Sequence, residues 1–437
     1  MEDRPAGEHP PTHSLGDGGD PDSGHDLRDG RWLTPGVAGI GSASLLADAG
    51  HEIPTSLLPS LLTGTLGAPA AVLGVIEGVS DGLAGLARLG GGALADDPHR
   101  RQRVAVGGYT TTAVLSAATA GATAPWQVAV LRAGAWTARG LRVPSRNALL
   151  ADVVPPAAYG RAYGFERAMD NLGAIVGPVL ALLLVAAVGT RWAIALSVIP
   201  GLAAAGAIVY AIRNCPRPAE RHHEPIRIKI RPVLRGPLGR LMVGISAFEL
   251  GNAAATLLIL RATDLLSRDR GTETATQLAL GLYVAYNLAA TSTSVPAGRL
   301  GDRIGPTRVL TAGVAAFAVA YTLFAVGSGG VAGLAVAFLA AGVGIGAVET
   351  AEHAAVATHA AEQLRGSAFG LLAAVQSAGN LTASAATGVL YTAASPAWAF
   401  GALAAAMVVA LGVLATADPR GPTGPSSPDD AVQSPSG

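Results

Sequence analysis

Cysteine is almost absent: Cys215 stands alone in 437 residues, so no internal disulfide can form, and no Cys/His cluster has the spacing of a zinc module. Charge is scarce as well. Only 14% of residues are Asp, Glu, Lys or Arg, where about 25% is usual in a soluble domain, and 50% are hydrophobic. The formal net charge is zero, which excludes a chain built to neutralise nucleic-acid phosphates. Aromatics at 5% leave few surfaces for stacking large planar compounds. No His-Glu-x-x-His, Gly-x-Ser-x-Gly or P-loop pattern occurs, so neither an intramembrane enzyme nor a nucleotide-driven pump is indicated. No resident cofactor is implied.

What is present is apolarity in long runs. Twelve continuous stretches, at about 36–61, 70–93, 103–121, 125–150, 163–187, 190–211, 240–261, 277–298, 308–326, 330–356, 366–388 and 396–416, can each cross a hydrocarbon core of about 30 Å as a helix. They lack the alternation of a barrel strand, and helices are the other backbone solution a bilayer admits. The expected fold is therefore an all-α membrane protein with the lipid bilayer as its surroundings. Gly 57 against Phe 7 points to close helix packing through small residues.

The divisions that follow are a tail over 1–33, a six-helix half over 34–212, a basic linker over 213–239, a second six-helix half over 240–417 and a tail over 418–437. Both tails are rich in Gly, Pro, Asp and Ser and are expected to be disordered; residues 1–31 also lack a signal-peptide pattern. Arginines crowd the even-numbered loops (Arg100, Arg101, Arg103, Arg161, Arg299, Arg303, Arg308, Arg365) and the linker, including Arg217 and Arg221. By the positive-inside bias both termini are expected in the cytoplasm of a multi-pass plasma-membrane protein.

A repeat appears at one ungapped offset of 206 residues: Gly92, Asp96, Gly140, Gly160, Gly164 and Gly173 match Gly298, Asp302, Gly346, Gly366, Gly370 and Gly379. An even number of helices separates the copies, so both halves share one orientation in the membrane.

Gly92-Ala-Leu-Ala-Asp96-Asp-Pro-His-Arg-Arg101 and Gly298-Arg-Leu-Gly-Asp302-Arg-Ile-Gly305 resemble the loop signature after the second and eighth helices of the major facilitator superfamily. Together with the helix count, the resemblance covers roughly residues 34–417. Two further stretches are similar to a bacterial efflux-type branch: Val75-Ile-Glu77-Gly-Val-Ser-Asp81, and Arg139-Gly-Leu-Arg142-Val-Pro-Ser-Arg146 running on to Asp170. Gly173-Ala-Ile-Val-Gly177-Pro178 resembles the fifth-helix signature of antiporters. Two positions depart from the pattern: Ala181 stands near a usual glycine, and Trp136 stands where an arginine is expected, with Arg132 one turn away. The resemblance implies a monomeric secondary transporter of a small molecule or ion, driven by a proton gradient and not an enzyme. It also implies that Asp96 and Asp302 gate the cytoplasmic side by meeting a helix N-terminus of the opposite half.

A charge at mid-bilayer costs about 3 kcal/mol or more, so each intramembrane charge is a candidate site. Asp48, His51 and Glu52 share one face of the first helix near mid-membrane. They could carry protons, ligate a divalent transition metal, or merely satisfy a polar kink before Pro54. Glu77 and Asp81 share a face of helix 2, with Arg132 as a possible partner. Asp170 with Asn171, and Glu249 with Asn252, are further candidates for substrate or proton contact. Glu349, Glu352 and His353 repeat the helix-1 spacing, but at a depth near the cytoplasmic end of helix 10. Arg146 corresponds to Glu352, and Arg142 to Val348, at the repeat offset. A cytoplasmic salt bridge between the halves is therefore expected from Arg142 and Arg146 to Glu349 and Glu352, with Gly173, Gly177 and Pro178 as gating elements. The function expected is a proton-coupled exporter; a divalent transition-metal exporter is the alternative.

Overall fold

The computed structural model describes residues 32–214, 226–327 and 330–417. Residues 1–31 and 418–437 of the expected tails, and the Arg217 and Arg221 part of the linker, lie outside the described residues; Trp32, expected within the first tail, packs against Phe165 with ring centroids 6.1 Å apart. Among those described, the chain is helical and contains no strand.

Twelve crossings are built from α1 (Pro35–Pro59), α2 (Ala70–Ala95), α3 (Pro98–Ala118), α4 (Pro125–Asp152), α5 (Tyr159–Val188), α6 with α7 (Thr190–Leu196, Val198–Arg213), then, after the short α8 (Ile230–Val233), α9 with α10 (Gly236–Glu249, Ala255–Leu266), α11 (Thr272–Ile304), α12 (Pro306–Val326), α13 (Gly330–His359), α14 (Arg365–Ala393) and α15 (Pro396–Ala417). Proline opens α1, α3, α4, α12 and α15, where its missing N–H costs nothing. Asp97 caps α3 by accepting from His99 N at 2.9 Å.

Among the described residues, five helical segments are long and apolar enough throughout to cross a membrane: Pro156–Val188, Thr190–Arg213, Pro306–Val326, Gly330–His359 and Pro396–Thr416. The helices outside that set, α1, α2 and α4 among them, carry ionisable residues that face inward, and so do α5 and α13 within it. Val130, Leu182, Val326 and Trp398 are exposed on the outside of the bundle, as a lipid-facing belt requires.

Two expected crossings are not continuous. The sixth bends at Ser197, whose hydroxyl donates to Ile194 O at 2.7 Å. The seventh unwinds over Leu250–Ala254, and polar side chains of α14 take up the freed backbone groups: Ala254 N donates to Ser384 Oγ at 2.8 Å, and Asn380 Nδ2 donates to Asn252 O at 3.2 Å. Interrupted backbone inside a membrane is stable only with such substitutes, and it sits here beside a cavity.

The halves meet along α2 with α14 and α5 with α11. The arginine-rich end is where they approach most closely. A Cβ on Gly92 would meet Gly366 O at 2.8 Å, and Gly160 and Gly298 press backbone to backbone in the matching place. These two contacts exchange under the 206-residue offset, so the closure is two-fold symmetric. Farther along α2, Gly78 and Gly82 have nothing within 4 Å and line a cavity, so the halves diverge toward the opposite end.

Candidate functional site

The cavity between the halves has a volume of about 710 Å³. Its N-terminal wall presents Asp48, Asp81, Arg88, Trp136, Arg139, Arg142, Arg146, Arg167 and Asp170, and its C-terminal wall presents Glu249, Asn252, Glu349, His353 and Gln376.

On the N-terminal wall almost every charge is answered. Asp48 and His51 of α1 both meet Arg139 of α4, Asp48 at 3.4 Å. Glu52 lies 3.9 Å from His51. The His51 ring stands edge-on to Trp136 with centroids 4.5 Å apart. Arg132 pairs with Glu77 at 2.8 Å and stacks on Trp136 at 3.7 Å, while Trp136 Nε1 donates to Asp81 at 2.7 Å. Trp136 thus holds one carboxylate directly and positions the arginine that holds the other. Deeper in, Arg146 reaches Glu166 at 2.8 Å and Asp170 at 3.3 Å, and Arg167 reaches the same two carboxylates. Ser44 donates to Glu166 at 2.6 Å. Asn171 is left with an unpartnered Nδ2.

The expected bridge of Arg142 and Arg146 to Glu349 and Glu352 is not made. Arg142 stacks over Tyr109 at 4.0 Å, and Arg146 is held within its own half, because Glu166 and Asp170 on the adjacent α5 are nearer. The depth expected for the α13 cluster is corrected as well. Glu349 and His353 line the central cavity, and Glu352 is wholly buried with Gln376 Nε2 donating to it at 2.9 Å.

The ion pairs that do join the halves lie at the arginine-rich end. Asp302 accepts from Gly160 N at 2.7 Å, Arg161 N at 3.2 Å and Arg161 Nε at 2.7 Å, at the N-terminus of α5. Asp96 accepts from Ser367 N at 2.8 Å and Ser367 Oγ at 2.6 Å, at the N-terminus of α14. A carboxylate so placed gains about 0.3–2 kcal/mol from the helix dipole. Arg365 adds a bridge to Asp152 at 3.2 Å, and Asp152 also holds the buried Arg101.

Gly173 and Gly177 lie inside one half rather than between halves. They seat α5 against α1, where a Cβ on Gly173 would meet Leu45 O at 2.6 Å and one on Gly177 would meet Ala49 O at 3.0 Å. Pro178 follows within α5.

Sequence reasoning missed Arg88, Arg139, Asp152, Glu166, Arg167 and Gln376 as members of these networks. The helical spacing of Glu166 to Asp170, and of Glu77 and Asp81 to Arg88, would have found two of them.

The family model of the Major Facilitator Superfamily matches residues 40–263 and 241–436. The chain belongs to that superfamily. Members of that superfamily are multi-pass membrane transporters rather than enzymes. Uncharacterized proteins of Mycobacterium tuberculosis and Mycobacterium bovis are 32% identical over 192 residues, 44% of this chain, so the match spans about half (47%) of those relatives' length. An uncharacterized MFS-type transporter of Methanocaldococcus jannaschii is 27% identical over 304 residues, 68% of this chain and 73% of that one. In fold, the chain is similar to a bacterial homologue of the iron transporter ferroportin in its outward-facing state, with a TM-score of 0.70 over 87% of this chain and 99% of that chain at 17% identity.

Proposed function

We propose that this protein is a monomeric secondary exporter in the plasma membrane, with both termini cytoplasmic, which moves a small solute by alternating access against an inward flow of protons. The observation that carries this reading is the cavity of about 710 Å³, lined by charges of both signs and shut at one end by the paired Asp96 and Asp302 contacts. That volume suits a small solute. The arginine bias supports a cytoplasmic position for the shut end, which makes this the outward-open state. The glycine signature on α5 supports export. Asp96 and Asp302 would then act as gates that release their helix N-termini when the cavity turns inward.

The metal-export alternative keeps the likeness of fold to the ferroportin homologue. Its ligand set is weaker: the Arg139 guanidinium sits on Asp48 and His51, and no three His, Cys, Asp or Glu side chains converge as a metal site among the described residues.

The test is a proteoliposome panel of cationic dyes, sugars and divalent metals, run with and without a pH gradient. Export against protons requires one of these solutes to accumulate when the lumen is the more acidic side. Accumulation only with an acidic bath would make the protein a symporter, and equilibration under every condition would remove proton drive.

A further inference from the structure

The 206-residue offset puts Arg146 and Asp170 of one half in register with Glu352 and Gln376 of the other. Both pairs are in contact: Arg146 to Asp170 at 3.3 Å, and Gln376 Nε2 to Glu352 Oε2 at 2.9 Å. What is an ion pair in the N-terminal half is therefore an amide holding a carboxyl group in the C-terminal half. The neighbours that complete the N-terminal network, Glu166 and Arg167, correspond to Leu372 and Ala373, so the counterpart of the Arg167 cation, which could have answered Glu352, is missing too.

Glu352 is 0% exposed and its Oε1 has no hydrogen-bond partner. Glu249, 3% exposed at the cavity wall, accepts among the described residues only from Asn252 Nδ2 at 3.1 Å. It is also the last residue of α9, where the negative end of the helix dipole opposes a carboxylate. The groups acting on the two are Arg88 of α2, Glu349 of α13, Tyr321 of α12 and each other, with α14 contributing the uncharged Gln376. Arg146 and Arg167 face Glu349 from the other wall. Among the described residues, no basic nitrogen lies within 4 Å of Glu249 or Glu352. An ionised carboxylate so enclosed would cost several kcal/mol, whereas its neutral acid leaves at most one O–H without an acceptor.

We propose that Glu249 and Glu352 form a proton-binding pair in the C-terminal half, which meets the water of the cavity through Glu249 and, one turn from Glu352, through Glu349. Protons arrive from the cavity as hydronium, bind a carboxylate oxygen as O–H, and return to water through the same opening or through the one that forms when the halves reverse. This deepens the proton-coupled reading above by naming where the proton resides, and it rests on that reading only for the use made of the proton.

The test is infrared titration of the full chain in lipid nanodiscs, following the C=O stretch of protonated carboxylic acids. The wild type should keep this absorption at neutral pH and lose it in base. Glu352→Gln and Glu249→Gln should each remove roughly half of the part lost in base, and Asp48→Asn should leave it intact. Gln376→Arg, which rebuilds the ion pair of the other half, should discharge the Glu352 proton and lower the absorption without any change at a glutamate. Absence of the absorption in the wild type, its persistence in both glutamate variants, or its displacement by sodium at fixed pH would each overturn the proposal. Because the signal is read without substrate, a transport panel that shows no proton drive would sink coupling and leave the pair standing.

Discussion

Arg146 on α4 and Glu352 on α13 occupy matching places in the two halves, and their surroundings have diverged as far as their charges. Around Arg146 lie Glu166, Asp170 and Arg167, a network in which each buried charge has a partner within 3.3 Å. Glu352 takes a hydrogen bond from Gln376, and the positions that match Glu166 and Arg167 hold Leu372 and Ala373. Compensated buried charges fix one geometry, whereas an uncompensated carboxyl group responds to whatever proton or ligand the cavity offers. The comparison assigns rigidity to the N-terminal half and responsiveness to the C-terminal half.

The largest effect that could break this division is on stability. Arg146→Leu leaves Glu166 and Asp170 to share Arg167, and removing one member of a buried network costs about 3–5 kcal/mol. Glu352→Gln removes no ion pair and should stay within about 1 kcal/mol of the wild type. Thermal unfolding in detergent reads both; equal losses would mean the halves hold their charges alike.

The packing beneath the two sites is more nearly symmetric. Gly173 lets α5 lie on α1 at Leu45 and Asp48, and its repeat partner Gly379 lets α14 lie on α9 at Glu249. Gly173→Ala and Gly379→Ala should each cost about 1–3 kcal/mol by overpacking. A loss confined to Gly173→Ala in the same unfolding assay would sharpen the contrast, since only the compensated half would then be intolerant of movement.

At the shut end the symmetry is closest and the expected difference smaller still. Asp302 takes three donors from Gly160 and Arg161, and Asp96 takes two from Ser367. Asp302→Asn should therefore speed amide hydrogen exchange at the start of α5 more than Asp96→Asn does at the start of α14, each within the few-fold to 30-fold that about 1–2 kcal/mol allows. Unchanged protection in both variants would remove these aspartates from the closure.

The fold was legible because its signals are long: twelve apolar runs and a repeat at constant offset do not depend on any one residue. The breaks at Ser197 and over Leu250–Ala254 were not: Gly251 and Asn252 interrupt apolarity too briefly, and the side chains that satisfy the open backbone there, Ser384 Oγ as acceptor and Asn380 Nδ2 as donor, come from α14, over a hundred residues on. Among the site residues, those related by helical spacing were readable and those related by tertiary packing were not. Asp48, His51 and Glu52 do share a face, but their partner Arg139 lies about 90 residues away and changes what the cluster can do. The Arg146 to Glu352 bridge failed for the same reason: the repeat matched the positions, while Glu166 and Asp170 supplied a closer partner.

The smallest expected effect concerns that helix-1 cluster and decides whether it belongs with the rigid half. The Asp48–Arg139 pair spans 3.4 Å with Asp48 buried and the arginine side chain 28% exposed at the cavity wall; the charge that Asp48→Asn leaves unpaired is the partly exposed guanidinium, so the variant should cost only about 1 kcal/mol. Calorimetric titration of the wild type with Co²⁺ should give no saturable heat, because a guanidinium occupies the space between carboxylate and imidazole and repels a divalent cation. If saturable heat is seen and is lost in both Asp48→Asn and His51→Ala, then Arg139 swings away on binding and α1 carries a metal site. Responsiveness would then reside in the N-terminal half as well, and the division between the halves would fall.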